Sequence, residues 1–194
     1  MDCWSCGAER GEASFCTTCG KIQPVPQSTT YFDALGLPQK MGIDRKDVES
    51  AFREISQKVH PDRFGRASPI ERRLALEHTT WINDAYRVLR EPRTRAEYLM
   101  GLEGLKVGDE EERANDPELL MSMLELQEEA AVSDAHGLER MLREMKSRSK
   151  SLLGLAEAYF DRREGKQETA KRALDELRFV RRLEERIEQR LDEM

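Results

Sequence analysis

Four cysteines, all that the 194-residue chain has, fall in two matching clamps, Cys3-Trp4-Ser5-Cys6-Gly7 and Cys16-Thr17-Thr18-Cys19-Gly20. Each Cys-x-x-Cys offers two thiolates from one tight turn. The glycine after each pair lets the backbone curl toward a metal, and the nine residues between Cys6 and Cys16 suffice for a hairpin return. Four thiolates in this spacing favour one tetrahedral, closed zinc site; iron suits them as well, and a redox-active dithiol or a pair of disulfides is the competing chemistry. With every position filled by protein no place is left for a substrate, so the metal expected at Cys3, Cys6, Cys16 and Cys19 is structural. Such a short stretch buries little core. Metal binding must supply most of its folding free energy, with Trp4 and Phe15 as its small apolar contact.

The second candidate is His60-Pro61-Asp62. Pro61 lacks the N–H that a helix interior needs and pushes His60 away from α geometry, which places the tripeptide on an exposed turn. Upstream, Asp44 caps a helix with Asp47 in its first turn, and Val48, Phe52, Ile55 and Val59 recur on one face. Downstream, Ser68-Pro69-Ile70-Glu71 combines an N-cap serine, a first-position proline and a glutamate at the third position, the signature of a helix start. The product is an antiparallel helical hairpin with His, Pro and Asp at its tip. Arg45, Lys46, Arg53 and Lys58, with Arg63 just past the turn, make the solvent face of the first arm mainly basic, diluted by Glu49 and Glu54. The second arm carries Ile70, Leu74, Ala75, His78, Trp81, Ile82, Ala85, Val88 and Leu89 as far as Pro92. His78, beside that stripe, reads as a satisfied core or boundary group with no role in a site.

The elements around this hairpin follow from local signals. Thr30 opens a short helix with Asp33 in its first turn, ended by Gly36 and Pro38, which brings Tyr31, Phe32 and Leu35 to the hairpin. Lys21 to Thr29, with Pro24-Val25-Pro26-Gln27-Ser28, reads as a linker that leaves the cysteine module free to move. Arg93 to Leu102 forms a further short helix. From Asp116-Pro117 three helices follow, broken at Ser133-Asp134 and near Gly165, and they predict a three-helix bundle. The middle helix repeats Leu138, Leu142, Met145, Leu152, Ala156 and Tyr159, and the last repeats Leu174, Leu177, Val180, Ile187 and Leu191.

The first helix of that bundle has more apolar surface than one core face uses. At about 100° per residue, Leu119, Met123, Leu126 and Ala130 form the inward stripe. Leu120, Met121 and Leu124 point elsewhere and share their half of the helix with Glu125 and Glu128, an apolar patch edged by carboxylates. Phe179 is likewise off its helix's stripe. A helix buried all round is the other reading of the same periodicity.

Composition excludes several classes. Charged residues make up 36% of the chain and aromatics 6%, which suits water-exposed amphipathic helices. A net charge of −6 argues against general affinity for nucleic-acid phosphates. No apolar run approaches the ~20 residues that span a bilayer. Between positions 109 and 129 stand Asp109, Glu110, Glu111, Glu112, Asp116, Glu118, Glu125, Glu128 and Glu129 against Arg113 alone, which suits a basic partner. The expected organisation is all-α: a tetracysteine head at 1–22, a linker at 23–29, a hairpin domain at 30–103, a linker at 104–113 and the bundle at 114–194.

Taken with the tripeptide, Thr30-Tyr31-Phe32-Asp33-Ala34-Leu35-Gly36-Leu37-Pro38, Trp81-Ile82-Asn83-Asp84-Ala85-Tyr86-Arg87-Val88-Leu89 and Glu91-Pro92-Arg93-Thr94-Arg95-Ala96-Glu97-Tyr98-Leu99 resemble a J-domain, the module by which co-chaperones of the Hsp70 class engage their ATPase partner. Leu120-Met121-Ser122-Met123-Leu124-Glu125-Leu126-Gln127-Glu128-Glu129 and Leu177-Arg178-Phe179, joined to that module, are similar to the HscB branch of these co-chaperones. The resemblance implies a protein that activates the ATPase of an HscA-type Hsp70, or its mitochondrial counterpart, and delivers to it the iron-sulfur scaffold protein IscU. It implies Hsp70 contact through Arg45, Arg53, Lys58, His60, Pro61, Asp62 and Arg63, the last standing where many J-domains have Lys. Scaffold contact is implied for Leu120, Met121, Leu124, Glu125, Glu128 and Phe179. The chain is then no enzyme itself. A thiol redox protein on the four cysteines lacks an identifiable base, and a zinc-ribbon nucleic-acid adaptor is disfavoured by charge. The tetracysteine head resembles the form known in animal mitochondria, yet the chain begins at its first cysteine; a bacterial cytoplasm is the expected location, or the mitochondrial matrix for a processed form.

Overall fold

The computed structural model describes residues 2–9, 14–105, 107 and 117–194. The acids at 109–116, and with them most of the linker expected at 104–113, lie outside the described residues. Seven α-helices are described: α1 Tyr31–Leu35, α2 Arg45–Val59, α3 Pro69–Leu89, α4 Pro92–Leu102, α5 Pro117–Val132, α6 Ala135–Arg162 and α7 Gln167–Asp192. A 3-10 turn, Pro61–Phe64, lies between α2 and α3. Among the described residues the only β pairing is two isolated antiparallel bridges, Asp2 with Glu9 and Phe15 with Ile22, so the all-α expectation holds. No described helix is long and apolar enough to cross a membrane.

Backbone contacts divide the chain into two units, Met1–Glu91 and Pro92–Met194. In the first, local chemistry sets each helix boundary. Thr30 and Asp33 form a reciprocal capping box at the start of α1, and Gly36, at φ 64°, ends it in the left-handed conformation that costs glycine nothing. Asp44 caps α2, and Ser68 and Glu71 form a second capping box before α3 with Pro69 at its first position. Phe32, Leu35, Val48, Val59, Leu74, Ala75, Ile82, Ala85 and Leu89 are buried between α1, α2 and α3. Phe52 is only half-buried and stacks on Tyr86 with ring centroids 4.3 Å apart.

In the second unit α6 and α7 make the most extensive helix pair, and α4 and α5 pack on both of them. Leu138, Met141, Met145, Leu152 and Ala156 of α6 meet Ala173, Leu174, Leu177, Val180, Leu183 and Ile187 of α7. Leu142, Tyr159 and Leu191, expected on the core stripes, are half-buried. At the surface of this unit the Glu103 carboxylate accepts Tyr159 Oη at 2.6 Å and Gln167 Nε2 at 2.9 Å.

The head expected at 1–22 and the linker expected at 23–29 meet at Ile22 and Gln23. Ile22 and Gln23 are fully buried, and the Gln23 carbonyl accepts a 2.7 Å hydrogen bond from Nε2 of His78 on α3. Prolines at 24 and 26 set an extended backbone, but they do not decide whether the residues before them find a surface to pack on.

Candidate functional site

The two cysteine turns are built alike. Gly7 N–H donates to the Cys3 carbonyl and Gly20 N–H to the Cys16 carbonyl, with Gly7 and Gly20 at φ 70° and 72°, where a side chain would be strained. Cys3 and Cys16 are buried, Cys6 and Cys19 exposed, and none is disulfide-bonded. The four sulfurs lie within 4.8 Å of one another. Cys3 Sγ is 3.7 Å from Cys19 Sγ, and Cys6 Sγ is 3.8 Å from Cys16 Sγ. Those distances are too long for a disulfide. They fit the edges of a tetrahedron around one ion, since ligands about 2.3 Å from zinc stand about 3.8 Å apart.

The thiols are unequal. Burial pushes Cys3 up, but the N–H groups of Cys6 and Ser5 outweigh it and hold Cys3 at about 6. Cys6 is helped by the Ala8 amide, yet burial and its three neighbouring sulfurs win and push it up to about 11. The amides of Cys19 and Thr18 hold Cys16 below the ordinary thiol value. Packed thiols do not all ionise together without a cation to balance them, so the cluster suits a metal.

Three consecutive residues join this head to α3. Lys21 Nζ lies 3.8 Å from Glu71 Oε2 and 5.3 Å from the centroid of the Trp4 ring. The Ile22 carbonyl accepts Trp4 Nε1 at 2.7 Å. Gln23 donates through Nε2 to Cys3 Sγ at 3.3 Å. Sequence reading missed Lys21 and Gln23, since a Lys and a Gln beside a Pro-rich stretch carry no periodic signal. His78 is the satisfied core group expected of it, with a partner fifty-five residues away.

At the hairpin tip Pro61 forces His60 to φ −54° and ψ 130°, outside α geometry, and α2 stops there. His60 Nδ1 then accepts the Asp62 N–H at 3.3 Å and starts the 3-10 turn. The two side chains remain open to solvent, 55% and 90% exposed for His60 and Asp62. Arg63 Nη1 donates to the Gln57 carbonyl at 3.3 Å, so this arginine also serves an unpaired carbonyl at the end of α2. Arg45 donates to Glu49 at 3.0 Å, Arg53 lies 4.0 Å from the same carboxylate, and Lys58 reaches Glu54 at 2.6 Å. The basic face is thus partly neutralised within its own helix. All three cations keep more than half of their side chains in solvent.

On α5 only Met123 and Ala130 are buried among the described side chains. Leu119 and Leu126 are half-buried. Leu120, Met121 and Leu124 are 41%, 59% and 51% exposed, and Glu125 and Glu128 lie in solvent on the same helix. Phe179 on α7 is half-buried. Helical periodicity separates the two faces of α5 in the same way.

The family model of the DnaJ domain matches residues 30–98, and that of the HSCB C-terminal oligomerisation domain matches 115–188. Over 162 residues the chain is 32% identical to the co-chaperone protein HscB homolog of Burkholderia mallei, covering 81% of this chain and 91% of that protein. It is 27% identical to the iron-sulfur cluster co-chaperone protein HscB of Mus musculus, over 95% of this chain and 80% of the mouse protein. The crystal structure of human co-chaperone protein HscB superposes with a TM-score of 0.87 at 25% identity, covering 98% of both chains. The chain belongs to the HscB family of co-chaperones.

Proposed function

We propose that this chain is an adaptor that stimulates ATP hydrolysis by an HscA-type Hsp70 and delivers to it an IscU-type iron-sulfur scaffold protein. In this reading residues 1–22 are a zinc head, 30–103 the J-domain and 114–194 the scaffold-binding bundle. His60, Pro61, Asp62 and Arg63, with Arg45, Arg53 and Lys58, contact the Hsp70. Leu120, Met121, Leu124, Glu125, Glu128 and Phe179 contact the scaffold.

The observation that carries this reading is the open face of α5, where three large apolar side chains stand in water beside two carboxylates. Covering them contributes roughly 1 kcal/mol each, since about half of each side chain is still to be buried. Glu125 and Glu128 select a partner with cations in register and speed its approach. On the other unit, the basic residues of α2 steer an acidic surface of the Hsp70 toward the turn. His60 is held there by the Asp62 amide at Nδ1, which leaves Nε2 to the partner. Pro61 removes backbone freedom that docking would otherwise have to freeze.

Cys3, Cys6, Cys16 and Cys19 would hold the zinc, which supplies a cross-link between two turns and no chemistry on a substrate. Single-turnover ATP hydrolysis by the Hsp70, with this chain and with the scaffold added, tests the proposal. Stimulation by the chain, increased further by the scaffold, is expected; a well-folded chain that leaves the rate unchanged overturns it.

A further inference from the structure

We infer that the cysteine head is a metal-dependent brace of the helical hairpin, with Gln23 as the positioning residue that ties the Cys3 ligand to His78 on α3. The inference rests on the reading that the four cysteines hold a metal.

Gln23 is fully buried and hydrogen-bonded through its side-chain Nε2 and its backbone carbonyl, while its Oε1 meets no partner among the described residues. Its side-chain Nε2 donates to Cys3 Sγ at 3.3 Å and to the Lys21 carbonyl at 2.9 Å. Its backbone carbonyl accepts from His78 Nε2 at 2.7 Å. A carbonyl only accepts, so Nε2 of His78 carries a proton in this contact. An N–H donated to a thiolate is charge-assisted and stronger than one donated to a thiol, and Cys3 is a thiolate when it is a metal ligand. Metal binding therefore strengthens the Gln23–Cys3 contact. That contact orders the residue whose carbonyl His78 reads.

The neighbouring residues run along the same line. Lys21 approaches Glu71 at 3.8 Å, and Glu71 is the residue whose side chain closes the capping box on Ser68 at the start of α3. Glu71 and His78 are seven positions apart, two helical turns, so they lie on one face of α3. The head thus touches α3 at its first turn, which follows the 3-10 turn bearing Asp62, and again two turns further on. Trp4, inside the first cysteine clamp, secures the middle of the segment through the Ile22 carbonyl. A metal that orders the clamps thereby stabilises the hairpin arm, and by reciprocity of linkage the hairpin raises the affinity for the metal.

The test uses the full chain, reduced and loaded with zinc or cobalt(II), with the bound metal counted first. Amide hydrogen exchange is followed before and after chelation. Exchange across residues 71–82 of α3 is expected to quicken at least about tenfold, while amides of α6 and α7 stay as they were. Gln23→Leu is expected to weaken cobalt(II) binding about tenfold and to shift its thiolate-to-metal charge-transfer band, as loss of a donor to a ligand does. His78→Ala, which removes the donor to the Gln23 carbonyl, is expected to weaken binding in the same direction. One metal bound with unchanged α3 exchange on its removal overturns the brace and leaves the metal site standing. No metal bound by the reduced chain overturns the metal reading and the brace with it. Should Gln23→Leu not fold, chelation of the unmodified chain decides alone.

Discussion

Ser149 on α6 donates a hydrogen bond to Glu184 on α7, a carboxylate only 2% exposed whose other oxygen takes Arg181 Nη1 at 2.8 Å. Neither partner stood out in the sequence. Glu184 occupies a core position of a helix otherwise lined by Leu, Val and Ile. Replacing Glu184 with Leu strands the Ser149 hydroxyl and is expected to cost about 1–3 kcal/mol, whereas adding Ser149→Ala to that variant is expected to recover part of the loss. Chemical denaturation of the two variants measures the difference. Equal stability of the single and double variants would show that the hydroxyl has no stake in the pair.

His60→Gln is expected to melt within about 0.5 kcal/mol of the unmodified chain, because the side chain is largely in solvent and no core contact is lost. Stimulation of the Hsp70 ATPase is expected to disappear in the same variant. Thermal melting and single-turnover hydrolysis are to be measured on one preparation. A variant that unfolds would mark the turn as structural, and one that stimulates normally would remove His60 from the contact.

The faces of α5 predict opposite outcomes for similar substitutions. Met123→Ala, at a site 3% exposed, is expected to cost about 2–5 kcal/mol. The triple variant Leu120→Ala, Met121→Ala, Leu124→Ala is expected to melt almost unchanged and to lose most of its affinity for the scaffold, since a few anchors carry most of an interface. Calorimetric titration beside a melt separates the cases. Retained affinity in the folded triple variant places the scaffold elsewhere.

Glu103 gives the second unit a dependence on pH. Burial alone would raise its carboxyl, but hydrogen bonds from Tyr159 and Gln167, with the Arg163 charge, win and hold it below the ordinary value. A carboxyl lowered by folding stabilises the native state above its unfolded pKa, about 4.3, and that contribution is lost as pH falls through the lower folded value. Glu103→Gln is therefore expected to lower the melting temperature at pH 7 and to close the gap with the unmodified chain as pH drops below about 4. A gap that is constant with pH would assign the effect to shape rather than charge.

What the sequence determined by itself is whatever is encoded within a few residues. Thr30 with Asp33, Ser68 with Glu71 and the left-handed Gly36 place helix ends because a cap and its amide are at most three positions apart. Pro61 ends α2 for the same kind of reason, and the paired Cys-x-x-Cys-Gly turns set their own geometry before any tertiary contact forms. The split of α5 into a buried Met123 and an exposed Met121 follows from the angle between neighbouring residues on a helix. Tertiary structure alone decided the polar partners that meet across the chain: Gln23 with His78, Glu103 with Tyr159, Ser149 with Glu184. A Gln, His or Glu is compatible with solvent and with burial alike, and which it takes depends on whether a matching group from a distant segment arrives to replace its water. The stretch from Lys21 to Gln23 shows the consequence, since composition marks it as the approach to a linker and packing makes it the seam between the cysteine head and α3.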